Sequence, residues 1–397
     1  MIKTIQIKNF KSVVDLTLDL GAFNVFIGEN GCGKTNILEA ISFGAAASAD
    51  KLDHEFLGSR GIRVTNPEFM FSAFTNGKIE KSIDITFNNV EGNYDYAIIN
   101  DLKSPKKWID SLKVLNLKSF FLENNKEALM NFKNSISESQ DTKDIDEIIK
   151  KINSIKNETD KLDSNDPKKK LISSVFEDVD ISNYVIYSPE QSILRKFEET
   201  NQIYPLGING AGLFHYLKEL ILNKNNAKIL NQIKENLLLL DWYEDFELPQ
   251  NLMSNEYALK IKDRYLHESL KYFDQKSTNE GFLYLLFYFT LFISKDTPRF
   301  FALDNIDASL NPKLCMALTR NLAALAKKHK KQAIVTTHNP AILDGLNLKD
   351  DNQRLFVIRR NIYGHTVANR VEYKKERTMK LSEIWTSGFI GGLPDNF

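Results

Sequence analysis

Cysteine is nearly absent from this sequence. Cys32 and Cys315 are the only two among 397 residues. They form no C-x-x-C pair, which argues against both a disulfide framework and a cysteine-rich zinc site. An excess of one charge is missing too, since 52 Lys and Arg face 52 Asp and Glu. That balance excludes a wholly basic nucleic-acid binder, though not a local basic face. No apolar run reaches the roughly 20 residues that cross a bilayer; the longest, Phe282 to Ile293, stops well short. The opening Met1-Ile2-Lys3-Thr4-Ile5-Gln6 alternates like a strand and lacks the apolar run of a signal peptide. A cytoplasmic protein without a membrane partner is expected. What is present, 42% hydrophobic and 26% charged residues, is ordinary globular composition. The length allows two or three domains, or one domain carrying insertions.

Glycine is missing between Leu122 and Val175, a stretch rich in Lys, Glu, Asp, Asn and Ser. Ile145, Ile148, Ile152, Ile155 and Leu162 approximate a three-four spacing there, with Thr159 in one core position. A helical hairpin with a solvated face follows from this pattern. The turn Asn165-Asp166-Pro167 and the basic Lys168-Lys169-Lys170 leave open a docking arm for a protein or nucleic acid. Around this insertion, strand and helix signals alternate. Ile5 and Ile7, then Leu16, Leu18 and Leu20, alternate at strand period, and Phe23–Ile27 is an apolar run suited to a central strand. Ile83–Phe87 and Tyr94–Ile99 read as two strands, Asn183–Tyr187 as another. Helices are expected at Gly212–Leu222 and Ala227–Leu240, and a strand around Leu259, Ile261 and Tyr265. The last third alternates strand Arg299–Leu303, helix Pro312–Ala326, strand Gln332–Thr336 and a helix starting at Pro340. The expectation is an α/β core interrupted by a helical subdomain, divided as 1–121, 122–175 and 176–397.

Gly28-Glu29-Asn30-Gly31-Cys32-Gly33-Lys34-Thr35 fits G-x-x-x-x-G-K-[ST], between a buried strand and a helix with Ile37, Leu38, Ala40 and Ile41 at helical spacing. Glycines let backbone N–H groups turn inward around phosphate oxygens. Lys34 supplies a charge for the β- and γ-phosphates, the Thr35 hydroxyl a ligand for Mg²⁺, and the helix start a positive dipole end. Phe300-Phe301-Ala302-Leu303-Asp304 places a carboxylate at a strand end, where Asp304 would orient the metal if the strands are neighbours. By itself an apolar run ending in Asp says little. Asn305 to Pro312 then reads as a turn that stops one element and starts another. The strand Ala333–Thr336 ends in Thr337-His338-Asn339-Pro340. A lone His is most often structural, but here His338 stands at the end of an apolar strand in a phosphate-binding α/β pattern.

Together these residues resemble the ABC-type ATPases of the RecF, SMC and OLD branch, over the whole chain apart from the insertion. Asn9-Phe10-Lys11-Ser12 is similar to that branch's opening, Gly28 to Asn36 to its Walker A, and Phe300–Asp304 to its Walker B. Ser309-Leu310-Asn311-Pro312 resembles the D-loop, His338 the switch histidine, and Gln191 within Ser188-Pro189-Glu190-Gln191 the Q-loop residue that joins Thr35 and Asp304 at the metal. The fold implied is an ABC-type ATPase head, a mixed sheet with a P-loop core plus an antiparallel subdomain. The resemblance implies ATP and Mg²⁺ held by Lys11, Ser12, Asn30, Gly31, Gly33, Lys34, Thr35 and Asn36, with Asp304, Asn305 and His338 at the chemistry. It also implies head-to-tail pairing of two copies, in which Asn279, Glu280 and Gly281, as the signature, and Ser309 and Asn311, as the D-loop, serve the partner's nucleotide. Within the branch the plan is most similar to the PtuA ATPases of Septu and retron-associated antiphage systems. Its marks are the short insertion, Asn279-Glu280-Gly281-Phe282, Leu303–Asp307 and Gly391-Gly392-Leu393-Pro394. An HNH nuclease of the PtuB kind is then the implied partner, together with a retron reverse transcriptase and its nucleic acid where a retron is associated.

Two positions depart from that pattern. Asn305 stands where the branch carries a catalytic Glu; a carboxamide orients water but takes no proton from it. Slow hydrolysis is expected unless Asp307 or a partner group substitutes. Asn279 replaces the signature Ser, and Ser277 serves if the register slips. No His-carboxylate cluster resembles a nuclease centre, the insertion lacks a zinc-hook cysteine motif, and the stretch after His338 suits a hairpin and a helix rather than a TOPRIM domain. Three functions follow: an ATPase that scaffolds and gates a partner nuclease in antiphage defence, a RecF/SMC-like DNA-binding ATPase of repair or chromosome maintenance, or a pure interaction scaffold that binds ATP and never turns it over. Lys327-Lys328-His329-Lys330-Lys331 and Lys168-Lys169-Lys170 are the basic surfaces the second would need, and solvated helix ends otherwise.

Overall fold

The computed structural model describes residues 1–74, 81–89, 92–100, 108–112, 179–196, 203–248, 259–267, 269–376 and 378–393. The expected helical insertion at 122–175, its two boundaries, Lys168-Lys169-Lys170 and Pro394 lie outside them.

The chain opens with the hairpin β1 (Ile2–Phe10) and β2 (Val13–Asp19), whose alternating apolar residues face inward at the period of a one-sided sheet. β3 (Phe23–Ile27) is buried at every position and leads into helix α1 (Lys34–Ser48). Then follow β4 (Ser82–Asn89), β5 (Asn93–Asn100), β6 (Trp108–Asp110) and β7 (Ile186–Tyr187). Helices α2 (Leu213–Leu222) and α3 (Ala227–Leu237) precede the small hairpin β8 (Tyr243–Glu247) and β9 (Lys260–Asp263). Next come α4 (Glu280–Ile293), β10 (Phe300–Leu303), α5 (Pro312–His329) and β11 (Gln332–Thr336). β12 (Gln353–Arg360), β13 (Thr366–Val371) and α6 (Leu381–Thr386) end the described chain.

Two sheets carry the architecture. The order β2-β1-β4-β5-β6 forms an antiparallel sheet, and β13-β12-β3-β11-β10-β7 a mixed one. In the mixed sheet all strands but β13 run parallel, with Leu303 beside Val335 and Tyr187, and Val335 beside Val25. This register brings the carboxyl ends of β3, β11, β10 and β7 to one edge, the place where open α/β sheets bind ligands. One face of the mixed sheet packs with α1 against the antiparallel sheet; the other, through Val25, Phe301 and Val335, packs on α4 and α5. Strands buried on both faces must be apolar throughout, as β3, β10 and β11 are. Helix α1 is buried on nearly all sides, with only Thr35 and Asn36 partly open.

The mixed and antiparallel sheets are those of an ABC-type ATPase head, and the tail forms the expected hairpin and helix. Local boundaries differ. Pro340 starts a 3₁₀ helix, Pro340–Gly345, in which the Asn339 side chain accepts from the Ala341 N–H. Tyr265 lies beyond β9 in an exposed turn, and β8, the partner of β9, carries too little alternation to be anticipated. Cys32 and Cys315 are free thiols buried in opposite cores. Among the described residues no helix is long and apolar enough to cross a membrane.

Gly44 lets α1 sit down on the antiparallel sheet, because a Cβ there would lie 2.7 Å from the Phe87 ring and 2.8 Å from Ile85. Gly44→Val should therefore lower stability by about 1–3 kcal/mol, the range for overpacking a filled core. Thermal unfolding measures this; an unchanged midpoint would contradict the packing described.

Candidate functional site

The loop between β3 and α1 depends on glycine at its two ends. Gly28 has φ of 148°, and a Cβ there would lie 2.1 Å from the Ile358 carbonyl oxygen. Gly33 has φ of 109°, with Thr366 Oγ1 2.1 Å from the corresponding position. L-residues are excluded by both backbone and space. The loop is tied down from outside: Thr366 Oγ1 donates to the Cys32 carbonyl at 3.0 Å, Ser12 Oγ lies 2.7 Å from Thr366 Oγ1, and Asn36 Nδ2 donates to Ser12 Oγ at 2.7 Å. Lys34 folds into the loop and donates to the carbonyls of Gly28 (2.8 Å) and Glu29 (3.0 Å). Burial lowers the Lys34 pKa, which Cys32 and Asp304 partly offset.

Across the edge, β10 delivers Asp304. Its N–H donates to the Tyr187 carbonyl at 2.8 Å, and Thr35 Oγ1 donates to its Oδ2 at 3.4 Å. The fully buried Thr336 at the end of β11 donates its hydroxyl to Asp304 Oδ1 and accepts from the Asn305 N–H at 2.9 Å. Asn305 adopts φ of 56°, a left-handed conformation that Asn tolerates better than most residues. Asp307 faces away from this group: its Oδ1 accepts from Thr337 Oγ1 at 2.6 Å and from the His338 N–H at 3.4 Å. It braces the His338 loop, so the structure does not bring it forward as a substitute base. The His338 pKa is lowered by partial burial and by Lys34, against Asp307 and Asp304.

These elements enclose a cavity of about 380 Å³, lined by Asn30, Gly31, Gly33, Lys34, Thr35 and Asn36 from the loop, and by Asp304, Asn305 and His338 from β10 and β11. Arg63 and Arg360 complete the wall. Sequence reasoning missed both arginines. Arg360 leaves β12 and donates from Nε to the Gly31 carbonyl at 2.9 Å. Arg63 is held by Glu39, whose Oε1 accepts from Arg63 Nε (2.7 Å) and N–H (3.0 Å). Lys11 Nζ donates to Glu39 Oε2 at 2.6 Å. Glu39 is fully buried, a carboxylate in the middle of α1's apolar run, and that incongruity was the signal available in the sequence. Lys11 and Ser12 therefore stand one layer behind the cavity: Lys11 holds Glu39, and Ser12 supports Asn36.

Among the described residues Asp304 is the one carboxylate on this wall, and the oxygens of Asp304 and Thr35 are the hard donors that Mg²⁺ accepts alongside phosphate and water. Lys34, Arg63 and Arg360 supply positive charge for a polyphosphate. Gln191 is not among the lining residues; it opens the short helix Gln191–Leu194 that follows β7. Asn279, Glu280 and Gly281 also lie away from the cavity, at the start of α4. Asn279 caps that helix through Oδ1, which accepts from the Phe282 N–H at 2.9 Å, and Ser309 Oγ donates to Glu280. Ser277 is committed to Asp274, to which its hydroxyl donates at 2.9 Å. Asn311 caps α5, accepting from the Leu314 N–H at 2.9 Å.

Sheet order and loop together are those of an ABC-type ATPase head. The chain belongs to the family described as "AAA domain, putative AbiEii toxin, Type IV TA system", whose model matches residues 23–344. An ATPase class of this kind implies binding of ATP, usually with Mg²⁺. The DNA replication and repair protein RecF of Lactococcus lactis subsp. cremoris (strain MG1363) is 46% identical over 55 residues, 14% of this chain and 15% of that protein. The OLD nuclease of Thermus scotoductus is 49% identical over 41 residues, 10% of this chain and 8% of that protein. Chromosome partition protein Smc of Coxiella burnetii is 30% identical over 99 residues, 23% of this chain and 7% of that protein. The chain thus spans only a small part of the length of these curated relatives. A solved Smc head, bound to the C-winged helix domain of ScpA, shares the fold with a TM-score of 0.53 at 14% identity, over 95% of this chain and 99% of that one.

Removing Glu39 would leave the largely buried Lys11 ammonium without its carboxylate, while the mostly exposed Arg63 would only lose its anchor. Glu39→Ala should cost about 3–5 kcal/mol, the range for breaking a buried pair, and free Arg63 from the cavity wall. Urea unfolding and nucleotide titration should shift together; a loss below 1 kcal/mol would show the network to be worth no more than a surface pair.

His338 gives a pH prediction. Its pKa in the free protein lies below the ordinary 6.5, and an adjacent phosphate favours the imidazolium. The bound state then holds more protons, so ATP affinity should rise as pH falls from the bound imidazole's pKa to the lowered free one, by up to about tenfold per unit between them. Calorimetry across pH should show this slope in the wild type and a flatter one in His338→Ala. Equal slopes would place His338 away from the phosphate.

Proposed function

We propose that the chain is an ATP-binding, slowly hydrolysing subunit that pairs head-to-tail with a second copy and, in that paired state, scaffolds and gates an HNH nuclease of the PtuB kind in antiphage defence. ATP and Mg²⁺ are held by Asn30, Gly31, Gly33, Lys34, Thr35, Asn36 and Asp304; Asn279, Glu280, Gly281, Ser309 and Asn311 serve the partner copy's nucleotide. The domain plan is an amino-terminal lobe, an insertion at 122–175 and a carboxyl-terminal lobe. The resemblance to PtuA carries the defence setting, and a retron reverse transcriptase with its nucleic acid is the further partner where one is encoded nearby.

The observation that carries slow turnover is Asn305. It lines the cavity next to Asp304, whose two oxygens already face Thr336 and Thr35, while Asp307 is engaged behind the His338 loop. No second carboxylate among the described residues lines the wall to take the proton of an attacking water. Nucleotide then acts as a ligand that selects the paired state and holds it.

A DNA-binding role of the RecF or SMC kind is the second reading, favoured by the local likeness to RecF. Its basic tract at the end of α5 is partly spent. Lys331 is buried and donates to the Thr297 carbonyl at 2.8 Å, and Lys327 pairs with Asp350 at 3.9 Å.

Phosphate release at saturating ATP and Mg²⁺ tests the first reading. Wild type should be slow, Lys34→Ala silent, and Asn305→Glu faster by severalfold or more, within the roughly 10²–10⁴-fold that a general base contributes. Control of an HNH nuclease encoded beside the chain should weaken in Asn305→Glu. Fast wild-type turnover unaffected by Asn305→Glu would contradict the proposal. Salt-dependent DNA binding by the isolated chain, without association with such a nuclease, would favour the second reading.

A further inference from the structure

The turn before α4 is held by one arginine. Arg195 Nη1 donates to the carbonyls of Gln275 and Lys276, both at 2.8 Å, and Nη2 donates to the Thr278 carbonyl at 2.9 Å. Three carbonyls converging on a single guanidinium is a demanding arrangement. The planar fork reaches them together, which an ammonium on a flexible stem does less well. Each peptide directs its C=O and N–H to opposite sides, so pinning these oxygens turns the N–H groups of Lys276, Ser277 and Asn279 away from Arg195; the Asp274 carboxylate takes the first two. The Asn279 N–H lies at the start of the 14-residue α4, an end where N–H groups and the helix dipole favour an anion.

Arg195 is also tied to the cavity. It caps the helix Gln191–Leu194, its N–H donating to the Gln191 carbonyl at 3.2 Å. That helix follows β7, whose Tyr187 carbonyl accepts from the Asp304 N–H at 2.8 Å. The Tyr284 hydroxyl on α4 is hydrogen-bonded to the Gln191 backbone. One short segment therefore touches the strand that carries Asp304 at one end and the turn before α4 at the other.

We infer that Arg195 is a positioning residue: it shapes the Gln275–Asn279 turn so that this edge of one copy can receive the triphosphate held in the cavity of the other, and it conveys displacement at Asp304 to that edge. The inference rests on the paired-head reading. Arg195 touches no residue of the cavity wall of its own chain in this role, so its loss should spare binding there.

Complementation between full-length variants tests it. Arg195→Ala alone should bind ATP with an affinity within about twofold of wild type, yet lose ATP-dependent pairing by about tenfold or more, the scale of losing charge-assisted hydrogen bonds. Arg195→Lys should recover part of the pairing. Lys34→Ala alone should fail in both respects. In a head-to-tail pair of Arg195→Ala with Lys34→Ala, one composite site has an intact cavity and an intact opposing edge. Energy transfer between the two labelled variants should then reappear with ATP, although neither self-pairs. A merely unfolded or destabilised Arg195→Ala chain would not complement. Gly281→Arg mixed with Lys34→Ala is the control for the paired-head reading itself. If that control recovers pairing while Arg195→Ala with Lys34→Ala does not, or if Arg195→Ala self-pairs normally, the assignment of Arg195 is overturned. If neither mixture recovers, the paired-head reading falls and the assignment falls with it.

Discussion

The site depends on the hydroxyl of Thr336. Lying at the end of a fully buried strand, it has no access to water and must satisfy both its donor and its acceptor within the protein. It does so by donating to Asp304 and accepting from the Asn305 N–H. This is possible because β10 and β11 run parallel with Leu303 beside Val335, so the two strands end together. The same alignment on the other side, Val335 beside Val25, sets the phosphate-binding loop across from Asp304. Shift one strand by a residue and the side chains exchange faces; Asp304 would leave Thr35 and the cavity would lose that carboxylate.

Charge in the cavity is arranged around that carboxylate. Lys34, Arg63 and Arg360 face one Asp304, a balance suited to a polyanion that brings its own metal. Burial lowers the pKa of Lys34, and burial with Lys34 lowers that of His338. Both groups therefore gain a partner when a phosphate arrives, which favours occupancy. Glu39 shows the converse. Fully removed from water, it is tolerable because Lys11 and Arg63 neutralise it from two sides and the Arg63 backbone adds a third donor.

Much of this was legible in the residues. The buried runs Phe23–Ile27, Phe300–Leu303 and Gln332–Thr336 read as central strands because parallel strands covered on both faces leave no room for polar alternation. The loop from Gly28 to Thr35 read as phosphate-binding because its glycines and Lys-Thr pair sit between strand and helix. What could not be read depends on distance across the chain. Arg63 and Arg360 reach the wall through strand order and through Glu39, neither of which has a local pattern. Thr336 looked like any strand residue, and Arg195 gained its meaning only when the turn at Gln275–Thr278 folded over it. Tyr265 followed two apolar alternations yet lies in a turn, since a short edge strand such as β9 ends where its partner β8 does.

The arrangement of Thr35 and Asp304 is that of a metal site to be completed by the nucleotide. The most direct measurement is ATP affinity with and without Mg²⁺, compared between the wild type and Asp304→Asn. Mg²⁺ should tighten binding by about tenfold or more in the wild type, one charge-assisted contact's worth, and have little effect in Asp304→Asn. An equal gain from Mg²⁺ in both proteins would contradict it, because the metal would then be held without the carboxylate that the parallel strands bring to Thr35.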